Sequence, residues 1–406
     1  MRHDVEIREL LHKRRDRHTL PQAFYTDTDL FEFDLRAVFH RLWIFAGLEA
    51  ELHQPGDWFT LDIAATSVVV LRDRDGSVRA FFNTCGHRGS RICSGESGQA
   101  IRLVCPYHQW TYDLDGRLIG AAMMPSDFDR SVHGLRPVHV QTLGGTIYVC
   151  LLAKSPPDFA DVQRAIEPAL ALHDLGGAKV AAKSTIAVKG NWKLTMENAR
   201  ECYHCAARHR DLMRVLLDFY DFDDPAVREF GARAAASGLV NGPAHGHGFR
   251  MARTPLAKGT KSITRDGEFI GPKVLGRVPS RDIGSLRWQV YPNTFNHVLG
   301  DYAFLVRFLP VNEQETLITS KFLVPADAVE EVDFDVTRLT EIWLKTNDED
   351  AQLIENNQCR VNSFGYEPGP YFSRAEWTVA EFADWYCTEA DRYLSGSDGE
   401  LSAAAV

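Results

Sequence analysis

Four residues with ligand chemistry stand in two pairs, Cys85-Gly-His87 and Cys105-Pro-Tyr-His108, with 17 residues between the pairs. Two thiolates and two neutral imidazoles at the tips of two neighbouring loops are enough donors to complete a metal site. A tetrahedral zinc site of two cysteines and two histidines accepts that set. So does a two-iron two-sulfur (2Fe-2S) cluster whose cysteines hold one iron and whose histidines hold the other, an exchange that raises the reduction potential. Zinc fingers usually pair Cys with Cys and His with His, whereas each pair here mixes the two, and the mixed order favours the cluster. Trp110 and Tyr112 follow the second pair, where either one donates a hydrogen bond to a cluster sulfur or packs as core. Cys93 lies outside the four positions and reads as a small buried hydrophobe.

A second group lies at His204 and His209, five residues apart. At ~100° per residue a regular helix turns them about 140° from each other, so both meet one ion only where the helix distorts or ends between them. Such irregularities favour functional sites. A third ligand has to come from elsewhere, and the acidic segment 347–355 supplies Asp350, with Asp348, Glu349 and Glu355 as rivals. Two histidines and one carboxylate on one face leave positions open for oxygen at a non-haem Fe(II). The plain alternative for the acidic run is a solvated helix face.

The series CxHx17CxxH, then NWKxxxENxxExYHxxxxH, then a late acidic segment resembles the oxygenase (α) subunit of Rieske non-haem iron oxygenases along nearly the whole chain. The resemblance implies an α+β chain: an N-terminal all-β Rieske domain, and a C-terminal helix-grip catalytic domain with helices on an antiparallel sheet. It implies Cys85, His87, Cys105 and His108 as 2Fe-2S ligands, and His204, His209 and Asp350 as ligands of a mononuclear Fe(II). It implies a homotrimer or hexamer, with Glu201 bridging the cluster of one subunit to the iron of the next. Glu stands where ring-dihydroxylating members usually carry Asp, and either carboxylate accepts a hydrogen bond from an imidazole on each side. A separate reductase with flavin and an iron-sulfur centre, fed by NAD(P)H, is the implied partner.

Finer features, Asn198-Ala-Arg-Glu-Cys-Tyr-His-Cys205, the 346–358 segment and Tyr366-Glu-Pro-Gly-Pro-Tyr371, resemble the branch that demethylates quaternary ammonium compounds, especially glycine betaine. Cys359-Arg360 departs from the Arg-Gly that relatives often carry there. The implied reaction is O2-dependent hydroxylation of an N-methyl group with release of formaldehyde. Hydroxylation of an aromatic ring by the same machinery is the alternative. A quaternary ammonium ion donates no hydrogen bond, so it calls for aromatic faces, for which Phe219, Tyr220, Trp288, Tyr291 and Phe304 are available. Arg250, His245 and His247 are the candidates for a betaine carboxylate.

The composition of the 406 residues sets the bounds around these motifs: 45 Lys+Arg against 55 Asp+Glu give a net charge of −10, which excludes a mainly electrostatic nucleic-acid binder. No run reaches the ~18 apolar residues that span a bilayer. The first twenty residues are charged throughout and lack the apolar stretch of a secretory signal, so the cytoplasm is the expected location. The eight cysteines follow no disulfide-scaffold spacing, and no disulfide is expected.

The elements that position these groups are read from changes of period. Residues 27–52 carry a helical pattern, and residues 57–151 read as short strands separated by turns. A Rieske domain is expected over 40–153, with 1–39 and 154–406 forming the catalytic domain and Ser155-Pro-Pro-Asp158 as the linker. Beyond it the sequence predicts a helix at 159–173, a strand at 183–189 and a helix from 191 through 204. A long loop follows at 231–259. Strands at 286–291, 297–299, 303–309 and 316–323, then helices at 329–358 and 378–393, complete the α+β pattern.

Overall fold

A computed structural model of the chain describes residues 4–151, 155–217, 224–240 and 243–396. Helices α1 (Asp4–His12), α2 (Ala23–Thr26) and α3 (Thr28–Asp34) precede the first sheet. The Asp27 carboxylate caps α3 by accepting from the backbone N–H groups of Asp29 and Leu30. α3 continues into one π-turn at Leu35–Phe39, and there the helix stops. The expected helical segment therefore ends well before residue 52. Its last part, Ile44–Leu48, is strand β1, with all five residues buried. Burial on every side overrides the helical spacing of those apolar residues.

β1 opens a seven-stranded antiparallel sheet in the order β1-β10-β9-β4-β3-β2-β5. The other members are β2 (Asp57–Ile63), β3 (Thr66–Arg72), β4 (Val78–Phe82), β5 (Ser97–Gln99), β9 (Pro137–Leu143) and β10 (Thr146–Cys150). A small sheet of β6 (Leu103–Val104), β7 (Thr111–Tyr112) and β8 (Leu118–Gly120) is inserted between them. β3 shows why this region reads as apolar runs rather than alternation. Val68 and Val70 pack into the core shared with the C-terminal part, while Val69 and Leu71 pack on the opposite side, in the cluster that includes Cys85 and Cys105.

The C-terminal part is built on a second seven-stranded antiparallel sheet, β11-β17-β16-β15-β14-β13-β12. Its strands are β11 (Lys179–Val188), β12 (Ala244–Gly246), β13 (Phe249–Thr254), β14 (Ser285–Val290), β15 (Thr294–Val298), β16 (Ala303–Asn312) and β17 (Glu315–Val324). The helices are α4 (Ala160–Leu170), α5 (Trp192–Asn198), α6 (Cys205–Arg208), α7 (Pro225–Ala236), α8 (Val336–Val361) and α9 (Trp377–Leu394). The Asn-Trp-Lys triplet fixes α5. Asn191 caps it by accepting from the Lys193 N–H at 2.9 Å, and the Trp192 indole donates to Asp34 at 2.9 Å. The Lys193 ammonium pairs with the same fully buried carboxylate, which also accepts from the Tyr386 hydroxyl of α9 at 2.7 Å. One anion thus ties the helices that frame the site, and a buried charge held by this many partners is satisfied.

Among the described residues, the 231–259 segment holds the end of a helix and a hairpin rather than one long loop. Its start belongs to α7, where Asp224 caps the helix, Pro225 is the first helical residue and the alanine-rich body favours helix. Its end is the β12–β13 hairpin, which turns at Gly248 with a φ of 81°, a conformation that glycine adopts without strain. The helix expected from 329 begins instead at Val336, capped by Asp335. No helix among the described residues is long and apolar enough to cross a membrane.

Candidate metal centres and the cavity between helices and sheet

The two Cys-His loops have the same backbone. In the first, the Cys85 N–H donates to the Ser90 carbonyl at 2.8 Å, and the Gly89 N–H donates to the Cys85 carbonyl at 2.9 Å. In the second, the Cys105 N–H donates to the Trp110 carbonyl at 2.9 Å, and the Gln109 N–H donates to the Cys105 carbonyl at 3.0 Å. Gly89 and Gln109, at matching positions, both have positive φ, 74° and 59°. The loops bring four side chains together: the cysteines are buried, the histidines are exposed, and the His87 and His108 rings lie 4.6 Å apart. Trp110 stacks on His87 at 4.8 Å, and the Tyr112 hydroxyl is 3.2 Å from the Cys85 sulfur. Burial raises the Cys85 thiol above its ordinary value. At Cys105 burial acts the same way, but the backbone N–H groups of Tyr107 and His108 outweigh it and hold that thiol below its ordinary value. Cys93, as expected, is a buried thiol, pushed up to about 12. Paired thiols inside and paired imidazoles outside fit a cluster whose two irons have different ligands.

The helix carrying the other two histidines does end, and earlier than expected. α5 stops at Asn198, and α6 is a single turn with His204 at its N-terminal cap and His209 at its C-terminal cap. Their rings converge, with 3.0 Å between the two Nε2 atoms. Oδ1 of Asp350, on α8, lies 3.0 Å from Nε2 of His209 and 3.2 Å from Nε2 of His204. The remaining nitrogens point outward: Nδ1 of His204 meets Glu201, and Nδ1 of His209 meets Glu349 at 2.8 Å. Because a carboxylate only accepts, each Nδ1 carries a proton, and each Nε2 is the atom turned toward the centre. This donor set fits one divalent cation with open positions. Burial lowers the two imidazoles, but the hydrogen bonds they donate to Asp350, Glu201 and Glu349 prevail, taking His204 up to about 9 and raising His209, so a cation would bind here in exchange for Nε2 protons. Burial works against the Asp350 carboxylate, and the two imidazoles overcome it and hold it low.

Among the rivals to Asp350, Glu349 turns to the far side of His209, Glu355 accepts from the Lys189 N–H at 3.1 Å, and Asp348 is exposed. Asn198 donates to Asp350 at 3.2 Å. One expectation is overturned: Cys202 and Cys205 form a disulfide that spans His204. A two-residue spacing inside a tight turn brings the sulfurs together where the sequence read them as unrelated. The Cys205 sulfur lies near both imidazoles, but the bond to Cys202 leaves it no thiolate to offer a metal.

The three donors open onto a cavity of about 270 Å3 enclosed by α5, α8 and alternate residues of β13–β16. Of the expected aromatic residues, Phe304 and Trp288 line it, Trp288 also packing into the core cluster with Tyr148 and Phe249, and Tyr291 lies beneath the Arg200 guanidinium at 3.8 Å. Phe219 and Tyr220 lie outside the described residues. The sequence reading missed Phe295, His297 and Trp343, which also line the cavity. Trp343 was legible, since it lies two helical turns before Asp350 on the same face of α8. Arg250 reaches the cavity but is paired with Glu381, while His245 and His247 line a separate cleft with Trp43 and Trp385.

Residues 42–139 match the Rieske 2Fe-2S domain family, and residues 175–390 match the ring hydroxylating alpha subunit (catalytic domain) family. The chain is 43% identical to the glycine betaine monooxygenase oxygenase subunit of Pseudomonas aeruginosa strain UCBPP-PA14, over 97% of this chain and 93% of that protein. It is 42% identical to the same-named subunit of Chromohalobacter salexigens, over 97% of this chain and 89% of that one. A crystal structure of a quaternary ammonium Rieske monooxygenase, described with carnitine oxidation and inter-subunit electron transfer, superposes with a TM-score of 0.73 at 22% identity, over 95% and 98% of the two chains. The rival zinc reading of the first site is thereby set aside, and the chain belongs to the ring-hydroxylating alpha-subunit family of Rieske oxygenases.

Proposed function

We propose that this chain is the oxygenase component of a monooxygenase that removes a methyl group from glycine betaine or a closely related quaternary ammonium carboxylate. The observation that carries the reading is the meeting of the His204 and His209 Nε2 atoms and Asp350 at the wall of a small cavity with aromatic sides. The names of the 43% and 42% identical relatives support it. In this reading Cys85, His87, Cys105 and His108 hold the 2Fe-2S cluster, and His204, His209 and Asp350 hold the iron. Bound there, the cluster supplies electrons one at a time and the iron supplies oxygen activation.

The chain's own residues do the rest. Glu201 and Glu349 keep both ligand rings in the tautomer that presents Nε2 inward. The cavity shields the reacting methyl from bulk water, and its size, near the lower end of the usual ~300–1,000 Å3 for ligand pockets, selects a small substrate. Aromatic faces such as Phe304 and Trp343 receive the ammonium, each contact contributing ~0.5–2 kcal/mol. One atom of O2 inserted into a methyl C–H bond, the other leaving as water with two electrons from the reductase and two protons, would give an N-hydroxymethyl cation, which releases formaldehyde and leaves a protonated N,N-dimethyl tertiary amine.

Electrons arrive from a reductase with flavin and NAD(P)H, and cross between subunits of a homotrimer or a hexamer. The exposed His87 and His108 rings on one surface, and the half-buried Glu201 beside the 58% exposed Tyr203 on another, support such a crossing. The test is oxygen uptake with a competent reductase: glycine betaine should stimulate it with equimolar formaldehyde. No stimulation by betaine, or a hydroxylated ring from an aromatic acid instead, overturns the substrate assignment.

A further inference from the structure

Arg287 lines the cavity as a half-buried cation, and among the described residues no carboxylate pairs with it. Its Nε and Nη2 atoms are shut off from solvent and meet no acceptor among the described residues. Of the other two arginines of the cavity, Arg250 pairs with Glu381 and lies 4.1 Å over Trp377; Arg200 also has unpartnered Nε and Nη2 atoms, but its Nη1 donates to Gln289 and its guanidinium lies 3.8 Å over the Tyr291 ring. Burial with no opposing anion lowers the Arg287 guanidinium to about 10, which leaves it fully charged at neutral pH. A charge in this position is expensive unless something arrives to pair with it.

Its place in the sheet says what arrives. Ala252 of β13, Arg287 of β14, His297 of β15 and Phe304 of β16 are successive cross-strand partners, one row on the cavity face. Ala252 is too short to reach the guanidinium. His297 is held neutral by burial and by the charge of Arg287, and its Nδ1 is engaged by the Ser285 hydroxyl at 2.8 Å. Beyond it Phe304 stacks against Trp343 at 4.2 Å and 13°, and Trp343 shares its helix with Asp350. The row therefore runs from a bare guanidinium to an aromatic pair, within a space suited to a small molecule.

We propose that Arg287 is the specificity-determining residue, whose guanidinium fork takes the carboxylate of a short zwitterion while the aromatic end of the row takes its methylated nitrogen. The inference rests on the demethylase reading above and adds to it the group that chooses among quaternary ammonium ions. A carboxylate makes two parallel charge-assisted hydrogen bonds with such a fork. A cation without a carboxylate would instead bring a second positive charge beside an unpaired one.

The test uses the full chain loaded with cluster and Fe(II), as wild type, Arg287→Met and Arg287→Lys. Binding of glycine betaine and of tetramethylammonium is measured anaerobically by calorimetry, turnover by oxygen uptake with reductase, and Tm without substrate. Wild type should bind glycine betaine about a hundredfold more tightly than tetramethylammonium. Arg287→Met should raise the glycine betaine Kd and KM by about a hundredfold with kcat within about threefold, and leave the tetramethylammonium Kd unchanged or lower. Arg287→Lys should fall between, since it keeps the charge and loses the fork. The Tm of Arg287→Met should equal or exceed that of wild type, because the variant removes an uncompensated buried charge. An unchanged glycine betaine Kd in Arg287→Met, or a parallel loss for both ligands with a lowered Tm, overturns the assignment. Wild type that oxidises both compounds equally well removes the anchor and leaves the demethylase reading standing. Wild type inert toward both removes that reading and the anchor with it.

Discussion

Glu349 accepts a hydrogen bond from Nδ1 of His209 at 2.8 Å, so the adjacent residues Glu349 and Asp350 serve opposite sides of one imidazole. One carboxylate orients the ring, and the other shares the space that the ring faces. Glu349→Gln should lower Fe(II) affinity about 10- to 100-fold while leaving the visible spectrum of the cluster unchanged. Asp348→Asn, at the exposed neighbour, should leave both unchanged. Anaerobic Fe(II) titration of the iron-depleted protein decides it, and equal affinity for the two variants would refute the orienting role.

Glu201 stands in the same relation to His204, and its other surroundings set it apart. It is half-buried beside the exposed Tyr203, and its second oxygen accepts from the backbone N–H groups of Tyr203 and His204. With Fe(II) at saturation, Glu201→Gln should keep cluster and iron and cut turnover about a hundredfold. Stopped-flow reoxidation of the reduced cluster by oxygen and substrate measures the step directly. Reoxidation at the wild-type rate would rule out the bridge.

The Tyr112 hydroxyl reaches the Cys85 sulfur at 3.2 Å. A hydrogen bond to a ligand sulfur favours the reduced, more negative cluster. Tyr112→Phe should retain the cluster and lower its reduction potential by on the order of 60 mV, the equivalent of one such bond in a one-electron couple. Potentiometric titration followed by electron paramagnetic resonance reads the shift.

Glu197 accepts from the Tyr25 hydroxyl at 2.7 Å, and burial pushes its carboxyl up to about 7 against that bond and the nearby Lys193. The folded state binds this proton more tightly than the unfolded chain does. The resulting stability is full below about pH 4.5 and is lost as pH rises through 7, a swing on the order of 3 kcal/mol. Glu197→Gln should therefore match wild type near pH 4.5 and exceed it by roughly that amount at pH 8. Urea unfolding at the two pH values tests the sign.

The side chains that the structure brings together at the two sites were legible because metal chemistry restricts candidates to Cys, His and a carboxylate at spacings that the chain carries openly. The five-residue gap between His204 and His209 even required a helix end, and the structure has one on each side of α6. The division of labour within the acidic run was not legible. Glu349 and Asp350 differ by one residue, and only the packing angle of α8 decides which faces the cation. Arg287 was silent for a related reason: its meaning lies in missing partners, and an absence of contacts leaves no mark on spacing. The 231–259 segment misled through its glycines: Gly238 and Gly248 sit at turns, while Gly231 lies inside α7 among the alanines that build it.

The Cys202–Cys205 disulfide has a consequence for electron stoichiometry. It follows Glu201 directly, spans Tyr203 and His204, and joins a half-buried cysteine to a buried one. A reductive titration of protein holding this bond takes up an extra pair of electrons that neither the cluster spectrum nor the iron content reports, and the thiol titre rises by the same pair. Electrons consumed per formaldehyde formed are therefore comparable between preparations only when sulfur is counted with iron.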